Sequence, residues 1–178
     1  MLLLRTSIAT IIGLMIFIST ALIFPVESLS KDTQSQHLFK IERSTNDNIV
    51  QYDVQMKADG KLDPKEPVVA YWVRLAKEGQ KEDLKWVEKR FAYGFKTKYN
   101  AKTNTATMDM VAKINRKIFV YEGQGGYRAE TIIDGQPAYI EKIFISSKGK
   151  GVSAKITYIE LFGKDEKTGE DRYERLNP

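Results

Sequence analysis

VQYDVQMK, Val50–Lys57, sets Val50, Tyr52, Val54 and Met56 against Gln51, Asp53, Gln55 and Lys57 in strict alternation. Successive side chains of a β-strand point to opposite faces of the sheet, so one face receives the apolar residues and the other the polar ones. The pattern is that of a half-buried strand. Period two recurs in FAYGFKTKY (Phe91–Tyr99), where Phe91, Tyr93, Phe95, Thr97 and Tyr99 alternate with Ala92, Gly94, Lys96 and Lys98. It recurs again in TATMDM (Thr105–Met110). Shorter strands are expected at Leu38–Arg43, Lys117–Glu122, Tyr127–Ile133, Ala138–Ser146, Val152–Phe162 and Arg172–Arg175. Val68–Leu75 is apolar on both faces except for Arg74, which predicts a central strand.

The segments between these strands carry turn chemistry. Ser44–Asn48, Asp59-Gly60, Gly123–Gly126 (GQGG), Asp134-Gly135, Lys148–Gly151 (KGKG) and Asp165–Glu170 are rich in Gly, Asn and Asp, which tolerate positive φ. One stretch departs from period two. Lys81–Arg90 is rich in Glu and Lys and, with Phe91, places Leu84, Val87 and Phe91 at i, i+3 and i+7, which predicts a single amphipathic helix. The fold class expected is therefore all-β: a single antiparallel β sandwich or flattened barrel of eight to ten strands, with one short amphipathic helix at about 81–91 between the third and fourth.

The first thirty residues are of another kind. Arg5 is followed by no charge until Glu27, and between them Ile8–Phe24 is apolar or small apart from two Thr and one Ser. A basic start, an apolar run and small residues at the exit describe a secretory signal peptide, with Pro25 ending the helix. Cleavage before Leu29 or before Lys31 fits the small-x-small pattern. The rival reading is a retained N-terminal anchor, because the run is long enough to span a bilayer. Residues 31–37 read as a linker and 38–178 as one β domain. The chain has no cysteine, so neither a lipid-modified cysteine nor a disulfide framework is available. An exported location, periplasm or cell surface, is expected.

The chain carries 28 basic and 23 acidic residues for a formal net charge of +5. They are interspersed, as in Lys81-Glu82-Asp83 and Lys164-Asp165-Glu166-Lys167, without the like-charge runs of a nucleic-acid arm. A well-solvated surface is the preferred reading, with mild affinity for anionic lipid or polysaccharide the alternative.

Tyr71–Phe95 (YWVRLAKEGQKEDLKWVEKRFAYGF), Gly60–Val68 (GKLDPKEPV) and Tyr158–Glu170 (YIELFGKDEKTGE) together resemble a bacterial family of exported proteins, the domain of unknown function 4833. The resemblance covers about Leu38 to Arg175 and implies an exported protein with these domain boundaries. It brings no activity, ligand or catalytic residue.

Chemistry-bearing constellations are sparse. His37 is the only histidine and stands at the linker edge, where it reads as a solvent residue, so a Ser-His-Asp triad or a histidine zinc site is not expected. GQGG and KGKG lack the GxxxxGK[ST] spacing that cradles phosphate. Asp59, Asp63 and Glu66, and likewise Asp165 and Asp171, read as turn residues rather than calcium ligands, because Lys61 and Lys167 stand where further oxygens would be needed. Glu141 and Glu160 lie in apolar strands and suggest a carboxylate pair. Trp72 and Arg74 share one face of a strand, and a guanidinium there needs a partner, for which Glu160 is the candidate. The candidate ligand-binding residues are Trp72, Arg74, Tyr93 and Glu160: Arg74 would hold an anionic group and Trp72 or Tyr93 would supply a stacking wall. The preferred reading of Arg74 is a structural ion pair with Trp72 stacked on it.

The expected function is that of a non-enzymatic envelope protein that binds a small ligand or another envelope protein. The alternatives are a carboxylate-dependent carbohydrate-active hydrolase and a structural component of a membrane-associated assembly. No cofactor, metal or catalytic residue is expected, no nucleic acid, and a membrane only through the N-terminal segment if it stays attached.

Overall fold

The computed structural model describes residues 34–112, 114, 116–149 and 154–177, all within the second of the two units into which the chain divides. The signal-peptide or anchor segment, linker residues 31–33 and positions 150–153 of the KGKG turn and its sequel lie outside the described residues.

Eleven strands form one sheet: β1 (Gln34–Arg43), β2 (Asn46–Met56), β3 (Val68–Arg74), β4 (Gln80–Asp83), β5 (Phe95–Asn100), β6 (Thr105–Met110), β7 (Lys117–Gly123), β8 (Gly126–Ile133), β9 (Gln136–Lys148), β10 (Lys155–Lys164) and β11 (Asp171–Leu176). One short helical turn, α1 (Trp86–Glu88), runs on into a π turn at Lys89–Tyr93. The sheet order is β4-β3-β2-β1-β9-β8-β7-β6-β5, with β10 also on β9 and β11 on β10, and the sheet curls into a half-barrel. The all-β expectation with one short helix holds.

Strand β9 organises the curl. Its first residues, Gln136–Tyr139, pair antiparallel with β8, and Lys142–Ile145 pair parallel with β1. Its other edge is lined by β10 almost from end to end. Two antiparallel wings, β1–β4 and β5–β8, therefore leave the same strand at successive heights. Where they part, the Gln36 side-chain amide takes the place of a strand: its Oε1 accepts the Tyr127 N–H (2.9 Å) and its Nε2 donates to the Tyr127 carbonyl (3.2 Å). Gly126 makes the approach feasible, because a Cβ there would lie 2.4 Å from Gln36 Oε1 and its φ is +123°.

The core lies inside the curl. The apolar residues of the opening alternation, Val50, Tyr52 and Val54, are buried there beside Phe39 and Ile41 of β1. Met108, Ile118, Val120 and Ala129 meet them from the other wing, with Ile143, Ile145, Ile159 and Leu161 at the junction. Tyr52 stacks on Phe39 at a centroid distance of 4.5 Å, and its hydroxyl donates to the Tyr93 carbonyl (2.7 Å). Of the three edge strands, β4, β5 and β11, the first two carry Lys81, Lys96 and Lys98, charges that discourage edge-to-edge pairing.

Three expectations are corrected. The helix placed at about 81–91 begins only at Trp86, because Gln80–Asp83 add to the free edge of β3 as a fourth strand, so the helix falls between β4 and β5. Its expected apolar stripe divides: Leu84 is buried while Phe91 points outward. The strand read at Phe91–Tyr99 begins at Phe95, since Phe91–Tyr93 belong to the π turn. Backbone hydrogen bonds to a partner strand outweigh local periodicity in both places. Finally, β1 starts at Gln34, inside the segment read as linker, because Gln34–His37 find partners in β2.

Candidate functional site

Trp72, Arg74 and Tyr93 come together at the end of the curl, and Glu160 does not join them. Trp72 on β3 is 3% exposed. The Arg74 guanidinium lies 4.6 Å from the centre of its ring, and Tyr93 meets the ring edge-on at 5.1 Å and 79°. On the far side of Tyr93, Arg43 donates to the phenol oxygen (2.8 Å). Trp72 and Arg74 are engaged by acids within the fold. Trp72 Nε1 donates to Glu88 Oε2 (3.1 Å), which also takes the Lys85 N–H (2.7 Å), and Arg74 Nε donates to Glu82 Oε2 (2.8 Å). The Glu82 hydrogen bond raises the Arg74 pKa, and the Arg74 bond holds the Glu82 carboxyl below its usual range.

The expected partner of Arg74, Glu160, is elsewhere: it lies on β10 opposite Phe144 of β9 and is held by Tyr173 OH (2.7 Å) and Arg175 Nη2 (2.6 Å). The reason is register. Strand β3 lies between β2 and β4, and Glu82 on β4, opposite Trp72, reaches Arg74 diagonally. The ion pair exists with another acid. A double-mutant cycle on Arg74→Met and Glu160→Gln should therefore give additive changes in urea midpoint, whereas Arg74→Met with Glu82→Gln should be non-additive. Coupling in the first cycle would mean that β3 and β10 meet in solution.

Glu160 also argues against the carboxylate-pair reading. The bonds from Tyr173 and Arg175 hold its pKa below the usual value, which suits an ion-pair residue and not the general acid of such a pair. Glu141 lies beside the register shift of β9 against β10, where no cross-strand partner faces it. The acidic turns are occupied by their own backbone: Asp59 accepts the Lys61 N–H (3.1 Å), Asp63 the Lys65 N–H (2.8 Å), and Asp165 the N–H groups of Lys167 and Thr168 (3.0 and 3.1 Å). Among the described residues, no group of three or more His, Cys, Asp or Glu is placed to hold a metal ion.

The sequence reading missed a polar cluster. His37 belongs to β1 and stands opposite Asp53, so it is not a free linker residue. Asp53, only 4% exposed, accepts from Tyr71 OH (2.5 Å), Gln51 Nε2 (2.9 Å) and His37 Nδ1 (3.3 Å). The polar face of Val50–Lys57 hinted at it, but only the register of three strands brings His37, Asp53 and Tyr71 into contact. Burial pushes the Asp53 carboxyl up, and the hydrogen bonds from His37, Tyr71 and Gln51 outweigh burial to lower it. Burial and the Asp53 carboxylate raise the Tyr71 pKa, so Tyr71 remains a neutral donor. A carboxylate whose folded pKa is depressed stabilises the fold above its unfolded pKa of about 4, and that contribution is lost as pH falls through the lower folded value. Asp53→Asn should cost about 2 kcal/mol at pH 7, since the amide presents a donor to at least one of three donors. It should also flatten the acid limb of stability below pH ~4. Urea melts from pH 2 to 7 measure both, and an unchanged acid limb would remove Asp53 from the account.

Two surfaces remain. A shallow depression of about 180 Å³ on β7 and β8 is lined by Arg116, Lys117, Phe119, Glu130, Thr131 and Ile132. That is below the roughly 300 Å³ at which small-molecule pockets begin. Its Arg116 is engaged by Glu174 (2.5 and 2.6 Å). The other is a projection at α1, where Trp86 is 70% and Phe91 64% exposed, with ring centres 6.3 Å apart and the Arg90 guanidinium 5.5 Å from the Phe91 ring.

These features define a curled, mostly antiparallel β domain with an outward aromatic projection. The chain belongs to the family Domain of unknown function (DUF4833), whose model matches residues 39–175, from β1 into β11. No curated protein and no solved structure matches it.

Proposed function

We propose that the chain is an exported envelope protein whose β domain binds another molecule without converting it, through the Trp86–Phe91 projection. The exposure of that aromatic pair carries the reading. Trp72, Tyr93, Tyr52 and Phe39 are all buried, while Trp86 and Phe91, on the turn between β4 and β5, stand in solvent and touch each other. Aromatic residues concentrate the energy of binding surfaces, and two in contact on a packed scaffold lose little conformational freedom on engaging a partner. The contacts that hold Arg74 and Glu160 favour structural roles for them. Export is supported by Arg5, by the apolar run Ile8–Phe24 and by the small residues at its exit.

Native mass spectrometry of protein purified from its own host tests both halves. The expected spectrum contains a bound molecule that is lost from the Trp86→Ala/Phe91→Ala variant, and an N-terminus at Leu29 or Lys31. The same complex in the variant would end the binding role of the projection. An intact Met1 in the membrane fraction would replace the cleaved signal with an anchor.

A further inference from the structure

We infer that the Trp86–Phe91 projection is a membrane-surface contact that recognises anionic phospholipid, separate from any contact made by residues 1–30. The inference rests on the binding reading above and names the partner of that same site. Its first support is the distribution of charge. Gln80–Tyr93 contains four basic residues, Lys81, Lys85, Lys89 and Arg90, and three acidic ones, Glu82, Asp83 and Glu88. Two of the acids are engaged by neighbouring groups, Glu82 by Arg74 and Glu88 by Trp72 and the Lys85 N–H. Lys85, Lys89 and Arg90 stay exposed beside the aromatic pair. The exposed charged side chains of the segment are therefore four cations, Lys81, Lys85, Lys89 and Arg90, and one acid, Asp83, which leaves its surface net cationic.

The second support is shape. Trp86 and Phe91 are tilted by 55° to each other and stand out from the sheet, whereas a sugar or nucleotide site would present a concave pocket with a stacking wall. Tryptophan and phenylalanine flanked by Lys and Arg are the side chains that settle at a bilayer interface, the rings among the headgroups and acyl ends and the cations at phosphate. Helical spacing reinforces the arrangement. Lys85 and Lys89 are joined by a backbone hydrogen bond (3.0 Å) and form one row, and Trp86 and Arg90 form the next.

Tryptophan emission tests the inference, because Trp72 is buried and Trp86 is the solvent-exposed indole. The full-length protein is titrated with vesicles of phosphatidylglycerol and, separately, of phosphatidylcholine. In phosphatidylglycerol the emission of Trp86 should shift to the blue and be quenched by brominated acyl chains, and the shift should weaken with added salt. Phosphatidylcholine should leave it in place. Each cation near an anionic surface contributes about fivefold to partitioning, so Lys85→Gln/Lys89→Gln/Arg90→Gln should bind about a hundredfold more weakly. Its urea midpoint should be unchanged, since all three side chains are exposed.

Anionic vesicles that leave Trp86 emission unmoved at low salt would overturn the inference. So would binding that the triple variant retains, which would assign it to another part of the chain. A photo-crosslinker at position 86 separates this failure from that of the wider reading. With vesicles inert, crosslinks in the host envelope to a protein or glycan would refute the lipid assignment and keep the projection as a binding surface. No adduct at all would refute both.

Discussion

Tyr52→Ala should lower the unfolding free energy by about 3–5 kcal/mol, the loss expected when a fully buried aromatic ring leaves a cavity. Tyr52 is 0% exposed, stacks on Phe39 at an interplanar angle of 8°, and leans on Phe95 at 5.7 Å. It thus joins β1 and β2 to the first strand of the other wing. Its hydroxyl donates to the carbonyl of Tyr93, the last residue of the π turn. Tyr52→Phe separates the two contributions. It keeps the rings in contact and leaves the Tyr93 carbonyl without its donor, at about 1–2 kcal/mol. Equilibrium urea unfolding measures both, and equal losses in the two variants would mean that the hydrogen bond rather than the packing holds the wings together.

Gly94→Ala should be comparably damaging, at about 3 kcal/mol, for a steric reason. Gly94 has φ −71°, so no left-handed conformation is at issue. A Cβ at that position would lie 1.7 Å from the Lys89 carbonyl oxygen and 2.6 Å from its carbon, both backbone atoms that side-chain rotation cannot clear. The π turn would have to open, carrying Tyr93 away from Trp72 and Arg43 and loosening the seat of the Trp86–Phe91 projection. Near-ultraviolet circular dichroism should lose the signal of the Trp72–Tyr93 pair along with the stability. A midpoint change worth less than about 0.5 kcal/mol, the range of an ordinary surface substitution, would show that the turn relaxes freely.

Period-two patterning identified the all-β class, and glycine and asparagine punctuation located most of the strands, because both signals are local: a strand must alternate, and a tight turn needs residues that tolerate its dihedrals. Trp72 and Arg74 were legible as neighbours for a related reason. Trp72 and Arg74 share a strand face by spacing alone, and a lone cation there demands an aromatic or acidic partner.

Which acid would answer Arg74 was a matter of register, and register is not local. Glu82 was hidden because QKED reads as the start of a helix until the free edge of β3 recruits it. His37 reached Asp53 only through the pairing of β1 with β2, and β1 met β9 in parallel across about a hundred residues of intervening chain. The sequence by itself determined which residues alternate, where the chain turns and how few groups could do chemistry. The tertiary structure alone decided which strand edges meet, which acids are engaged by neighbouring groups and which cations remain outside. Backbone hydrogen bonding selects the partner strand without regard to the side chain it brings opposite, so charge pairing follows from topology and is not written in the order of the residues.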